Sequence, residues 1–264
     1  MSMKISNQIQ IRDLGLYSGR NSSFGALLQE TSQIFKILSS GVTITEVHDR
    51  ALKGDIFKQK TWSSRKRVWC AIYNRYFTNG IGWIIKDLTK SYGFGEHSPE
   101  FLSMIYLHYS LSDRLAFDFV TKVVWKNWKN NRKKISRDDF LVFLNHASED
   151  QDQINKWSPV TKGNLASNNL SAFRDFGLMV GKQKKEITQP PLPLNTVKHI
   201  LRIIVLEGKR GKDILSDPTW RLFLRSPDDI ADSLMKLSQS HLIRFERVGD
   251  IIVLETPDEW EKAE

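Results

Sequence analysis

The chain has 264 residues, enough for two or three compact units, and 40% of them are hydrophobic, including 8 Trp and 14 Phe, which excludes a disordered polypeptide. Its formal net charge of +9 and pI near 9.5 favour polyanionic partners, either nucleic acid or an anionic membrane surface. A spanning helix is excluded, because the best apolar run, residues 200–206, is far short of 18 residues and contains Arg202.

In chain order, Leu27, Leu28, Ile34, Phe35 and Leu38 approximate helical spacing before Gly41. Thr43 or Thr45 can cap a short helix through Leu52, and Ser63 or Ser64 a longer one to about Phe77, with Val68, Trp69, Ile72 and Tyr76 turned inward. Further helices are expected over 81–88, 100–109 and 112–128, completing an all-helical unit over residues 1–133.

A different order follows. Ser136 caps a helix over 137–145 with Asp138 and Asp139 in its first turn, 150–157 is a weaker helix, and Ser158-Pro159 opens a helix that ends at Gly177. Residues 178–180 and 186–188 then flank a basic tip, Gly181 to Lys185, as a hairpin. Three helices and a basic hairpin are the order of a winged helix, expected over 134–189. Gln189 to Pro193 is a stiff linker. Beyond it, helices over 196–206, around Ile214 and over 226–237, then strands over 242–247 and 251–255 about Gly249-Asp250, suggest a second winged-helix-like module over 194–264. The expected fold is therefore mainly α, with short β-hairpins.

Two long windows carry no acid. One, over 56–86, includes Lys66 and Arg67; the other, over 119–137, includes Lys129, Arg132, Lys133 and Lys134 beside Trp125 and Trp128. A solvated face is normally mixed in sign, so these windows read either as phosphate contacts or as charge without a specific partner. Arg65 and Arg75 fall near the apolar side and read as internal ion-pair partners. On the helix after Pro159, Leu165, Ala166, Leu170 and Phe173 share one side, which leaves Asn164, Ser167, Asn168 and Ser171 on the other and Asn169 inward. Short hydrogen-bonding side chains of this kind suit a major groove, although they can equally decorate an exposed face. Thr161 and Lys162 lie in the first turn, and Lys182, Lys184 and Lys185 at the hairpin tip suit neighbouring phosphates. The corresponding helix of the second module exposes Asp229 and Asp232, which repel phosphate, so this module is expected either to pack on a protein surface or to reach DNA only through Lys209, Arg210 and Lys212.

Catalytic signals are absent: the six histidines are scattered, and no phosphate loop, zinc pair or nucleophile elbow occurs. Cys70 reads as a buried, inert thiol. No cofactor or metal is expected. The single cysteine and the lack of an export signal in residues 1–13 suit a reducing cytoplasm.

Tyr17-Ser18-Gly19, Ala26-Leu27-Leu28-Gln29-Glu30, Lys60-Thr61-Trp62-Ser63-Ser64-Arg65-Lys66-Arg67 and Leu115-Ala116-Phe117-Asp118-Phe119-Val120 resemble the BrxA family of bacteriophage exclusion (BREX) defence systems. Ile135-Ser136-Arg137-Asp138-Asp139-Phe140 and Leu170-Ser171-Ala172-Phe173-Arg174-Asp175-Phe176-Gly177-Leu178 extend the resemblance, in chain order, from about residue 17 to 187. It implies a helical, DNA-binding accessory protein acting beside other BREX components, and it offers no catalytic residue to carry over. The inner-membrane label that some members have carried conflicts with the missing spanning segment. The expectation is a non-enzymatic binder of double-stranded DNA; the alternative is an assembly adaptor of the same defence complex, its charge incidental.

Overall fold

Capping side chains set most of the helix boundaries. The computed structural model describes residues 10–261 other than 79, 183 and 250, so Gln183 and Asp250, both assigned to hairpin turns, lie outside the described residues. Five helices come first: α1 (Leu28–Ser39), α2 (Ile44–Lys53), α3 (Trp62–Tyr76), α4 (Gly82–Tyr92) and α5 (Pro99–Leu111). Thr43 Oγ1 accepts from the Glu46 amide and Ser98 Oγ from Phe101, with Pro99 at the first helical position. The α3 cap is Thr61, which accepts from the Ser64 amide, rather than Ser63 or Ser64. This earlier start adds Trp62 to the helix.

Next, α6 (Arg114–Asp118) runs through a π-helical segment, Phe119–Val124, into α7 (Trp125–Lys129). The chain continues as β1 (Lys134–Ile135), α8 (Arg137–Ala147), a 3-10 turn (Asp152–Lys156), α9 (Pro159–Asp175), β2 (Met179–Val180) and β3 (Lys185–Ile187). Sequence patterning misses β1, since two residues are too short to show a period. It pairs with β3 to give an antiparallel sheet ordered β1-β3-β2, with Lys134 opposite Glu186 and Met179 opposite Ile187. The last part holds α10 (Leu194–Leu206), α11 (Lys212–Leu215), a 3-10 turn (Pro218–Phe223), α12 (Pro227–Gln239) and the hairpin β4 (Arg244–Val248) and β5 (Ile251–Glu255). The fold is mainly α. No described helix is long and apolar enough to cross a membrane.

One hydrophobic cluster extends from Ile11 to Trp260. Tyr106 of α5 is fully buried within it, against Phe173 and Phe176 from the α9 end and Phe223 from the 3-10 turn at 218–223, and its hydroxyl donates to the Leu222 carbonyl at 2.9 Å. The residues at 189–190 are docked against this assembly: Gln189 Nε2 donates to the Leu224 carbonyl, and Pro190 is buried.

Residues 10–27 form a strap across the other elements. Arg12 joins Glu207 and Asp217 beyond α10, and the Tyr17 hydroxyl donates to Asp118 at 2.6 Å. Buried Asn21 donates to Asp113 at 3.0 Å and accepts from Arg75 at 2.8 Å. Arg65 and Arg75 are held inward as expected, but the acceptors are not carboxylates. Arg65 binds the carbonyls of Leu52, Gln59 and Lys60; Arg75 binds Asn21 and the carbonyls of Phe24 and Ala26 and lies over the Tyr109 ring.

Two of the histidines that look scattered in sequence meet here. His199 of α10 bonds Asp87 of α4 through Nδ1 at 2.8 Å and His108 of α5 through Nε2 at 2.8 Å. Burial holds both imidazoles below their ordinary range; the Asp87 bond opposes this at His199, and His199 adds to it at His108. A base whose folded value is depressed contributes stability fully above its unfolded value, near 6.5, and loses it as the pH falls below that. Asp113 acts in the opposite sense, because burial pushes its carboxyl up to about 6. Unfolding free energy measured by denaturant titration should drop between pH 7 and 5.5, by up to about 1.4 kcal/mol per pH unit for each proton taken up. A His108→Gln/His199→Gln variant, which retains Asp113, should show a smaller drop; an identical drop would refute the assignment to this pair.

Candidate nucleic-acid interface

The α9 helix is cut to a specific shape by its sequence. Ser158 caps it by accepting from the Thr161 amide at 3.1 Å, Pro159 starts it, and Leu165, Ala166, Leu170 and Phe173 are buried beneath it. Asn169 is fully buried, as the wheel predicts, accepting from the Tyr109 hydroxyl at 2.9 Å. On the outer side Asn164 and Ser167 are exposed, whereas Thr161, Lys162, Asn168 and Ser171 are half-buried. Thr161 Oγ1 lies 3.0 Å from Ser158 Oγ, inside the cap.

The strap accounts for part of the covering. Asn168 Nδ2 donates to the Asn21 carbonyl at 2.9 Å, so this side chain, expected to point at a base edge, is engaged by the strap. The open part of the helix is consequently its N-terminal half. Arg67 extends from α3 to the same strap, where its guanidinium donates to Ser23 at 3.2 Å and lies over Phe24. Lys66 lies over the Trp62 ring, 4.9 Å from its centre. One set of backbone turns thus joins α9 to the first basic window.

Around the small sheet the expected cations divide. Lys182 and Lys184 are exposed. Lys185 is not at the tip: strand alternation turns it in beside Ile187, its ammonium donates back to the Lys182 carbonyl at 2.8 Å, and burial lowers its pKa. It is corrected from a phosphate contact to a support of the turn. Lys133 and Lys134 are exposed along β1, Lys129 lies over Trp125, and Arg132 is paired with Asp139 at 2.9 Å. That ion pair sits at the α8 start, where Asp139 also completes a capping box with Ser136.

Sequence reasoning missed Arg137 as a site residue. Its guanidinium lies against Gly163 in α9: a Cβ built there would be 2.0 Å from Nη2. The available signal was a glycine inside a helix, which often marks a close approach. Cys70 is also corrected. It is exposed on α3, because Val68, Trp69 and Ile72 occupy the inner face and leave it turned out.

The model of the BrxA family matches residues 15–203. The chain belongs to the BrxA family. The BREX protein BrxA of Bacillus cereus (strain H3081.97) is 22% identical over 187 residues, covering 70% of this chain and 90% of that one. A crystal structure of an uncharacterized protein from Magnetospirillum magneticum superposes with a TM-score of 0.60 at 15% identity, covering 80% of this chain and all of that one, which shows a shared fold. BrxA membership makes the chain an accessory component of BREX phage defence. The family match includes the strap from residue 15, α9 and the three-stranded sheet, and ends within α10.

The contact at Gly163 gives a test of this geometry. In a Gly163→Ala variant the flexible end of Arg137 should move aside, and the better helix propensity of alanine, about 1 kcal/mol, should leave stability equal or higher. Thermal and denaturant unfolding would check this; a loss beyond about 2 kcal/mol would mean that Arg137 cannot move.

Proposed function

We propose that this protein binds double-stranded DNA without catalysing a reaction on it, and that β1 to β3 with α8 and α9 act as a winged helix. The observation that carries the reading is the exposed N-terminal half of α9, with Asn164 and Ser167, followed by a hairpin whose exposed tip bears Lys182 and Lys184. A helix of this polarity can enter the major groove while the wing meets the flanking backbone. Lys66 and Arg67 extend the cationic surface beyond the strap, and Lys133 and Lys134 extend it along β1. Phosphate contacts supply most of the affinity. Sequence preference, where present, comes from Asn164 and Ser167.

Support for a binding rather than a catalytic role comes from the side-chain inventory. Among the described residues no group of three or more His, Cys, Asp or Glu is placed to hold a metal, and in the Asp87–His199–His108 chain both imidazoles are buried and bonded to each other, with half-exposed Asp87 at its outer end. Other BREX components are the expected protein partners.

A second reading applies to the C-terminal hairpin. Val248 and Ile251 are 76% and 70% exposed, and the first turn of α12 bears Asp228 and Asp229, a combination that favours a protein surface over phosphate. On this reading the last segment docks a defence component while α9 holds DNA.

Fluorescence anisotropy with unrelated duplexes over a salt series tests the proposal. A Lys182→Ala/Lys184→Ala variant should bind about tenfold more weakly at low salt, with the slope of log affinity against log salt reduced by about 1.8, or 0.9 per lost contact. Duplex and ATP should both remain intact with magnesium or manganese present. Unchanged affinity and slope would remove the wing from the interface and leave the adaptor reading; hydrolysis that disappears with a point substitution would refute the non-enzymatic assignment.

A further inference from the structure

We propose that α3 carries a site for a nucleoside phosphate, separate from the duplex face on α9. Ser63, Arg67, Cys70 and Asn74 follow one another at intervals of four, three and four residues, so they form a single ridge along the helix. A cleft lies on each side of it, and the two clefts differ in chemistry.

The first, about 350 Å³, lies between α3 and the strap and offers Lys66 and Arg67, with Arg75 and Arg20, the latter paired with Asp13 at 3.6 Å, also in its lining. Its acid, Asp113, is buried and already accepts from Asn21 and the Ala116 amide. The second, about 410 Å³, lies between α2 and α3 and is walled by Trp69, Tyr73 and His48. Tyr73 is 40% exposed, yet its ring is backed by Trp69 at 6.1 Å and Phe77 at 6.0 Å, while His48 meets the Trp69 edge at 5.1 Å. A partly open aromatic surface of this kind is set for stacking before a ligand arrives.

A cationic cleft alone fits any anion, and an aromatic cleft alone fits any flat apolar group. Joined by one ridge, they match a ligand with a phosphate at one end and a planar base at the other, and each volume falls in the range of small-ligand sites. Asn74 lines both clefts, and its amide can pair with a base edge. The ligand is either a free nucleotide or an unpaired nucleotide of a strand. The site shares Lys66 and Arg67 with the duplex reading and rests on it for those two residues; Tyr73, Asn74 and the aromatic cleft are its own.

Cys70 supplies the assay, since it is the only cysteine in the chain, is exposed, and lines both clefts. Alkylation of the full-length protein by iodoacetamide would be followed alone and with AMP, a thymidine hexamer, a blunt duplex or inorganic phosphate. AMP or the hexamer should slow alkylation at least about fivefold at saturation; protection by AMP identifies a free nucleotide as sufficient, and protection by the hexamer alone identifies the strand as the source. Tyr73→Ala should weaken the protecting affinity about tenfold, and Tyr73→Phe should retain it, as expected for stacking. No protection by either ligand, equal protection by inorganic phosphate, protection by duplex alone, or undiminished protection in Tyr73→Ala would each overturn the site. Because the wing lysines lie outside both clefts, a Lys182→Ala/Lys184→Ala protein should keep Cys70 protection, which separates failure of this site from failure of the duplex reading.

Discussion

The hydrogen-bond cluster at Arg75 and Asn21 constrains the rest of the molecule. A guanidinium that is 8% exposed cannot remain without acceptors, and here they come from the strap: Asn21 Oδ1 and the carbonyls of Phe24 and Ala26. Asn21 in turn occupies Asp113 at the start of α6 and approaches Asn169 of α9. Stranding a buried charge costs about 3–5 kcal/mol, a large share of a total stability of about 5–15 kcal/mol. The strap is therefore fixed, and α3, α6 and α9 are held by it in one arrangement.

That arrangement determines which polar groups face solvent. With the strap bonded to Asn168, the outer side of α9 is open toward its N-terminus, where Gly163 admits the Arg137 guanidinium. The same strap receives Arg67 through Ser23, so the cationic surface of α3 and the polar face of α9 meet on either side of residues 21–25. At the sheet, exposed Lys184 lies in the turn, whereas Lys185 opens β3 on its inward side and Glu186 points out. Charge counted along the sequence overstates the cations available to a ligand, because Lys185 and Arg132 are already engaged.

Much of the fold was legible because it rests on local rules. Ser136, Ser158 and Ser226 each sit where a cap is needed, and the apolar spacing of Leu165, Leu170 and Phe173 identified the inner side of α9. Features that depend on distant partners were not legible. Nothing local reveals that Asn168 reaches Asn21, that His108 meets His199, or that Arg75 selects carbonyls over carboxylates. Cys70 is exposed although its neighbour Trp69 is buried, since adjacent residues on a helix point about 100° apart. The exposure of Asn164 and Ser167 was legible from the wheel; the shielding of Ser171 was not.

The central claim is that the exposed half of α9 and the adjacent wing form the surface facing duplex DNA. Photo-crosslinking of the full-length protein to a duplex carrying a reactive base analogue, with adducts mapped by mass spectrometry, tests it most directly. The account predicts adducts within residues 161–168 and around Lys182 and Lys184. Adducts confined to α12 and the β4–β5 hairpin, with none on α9 or the wing, would contradict it.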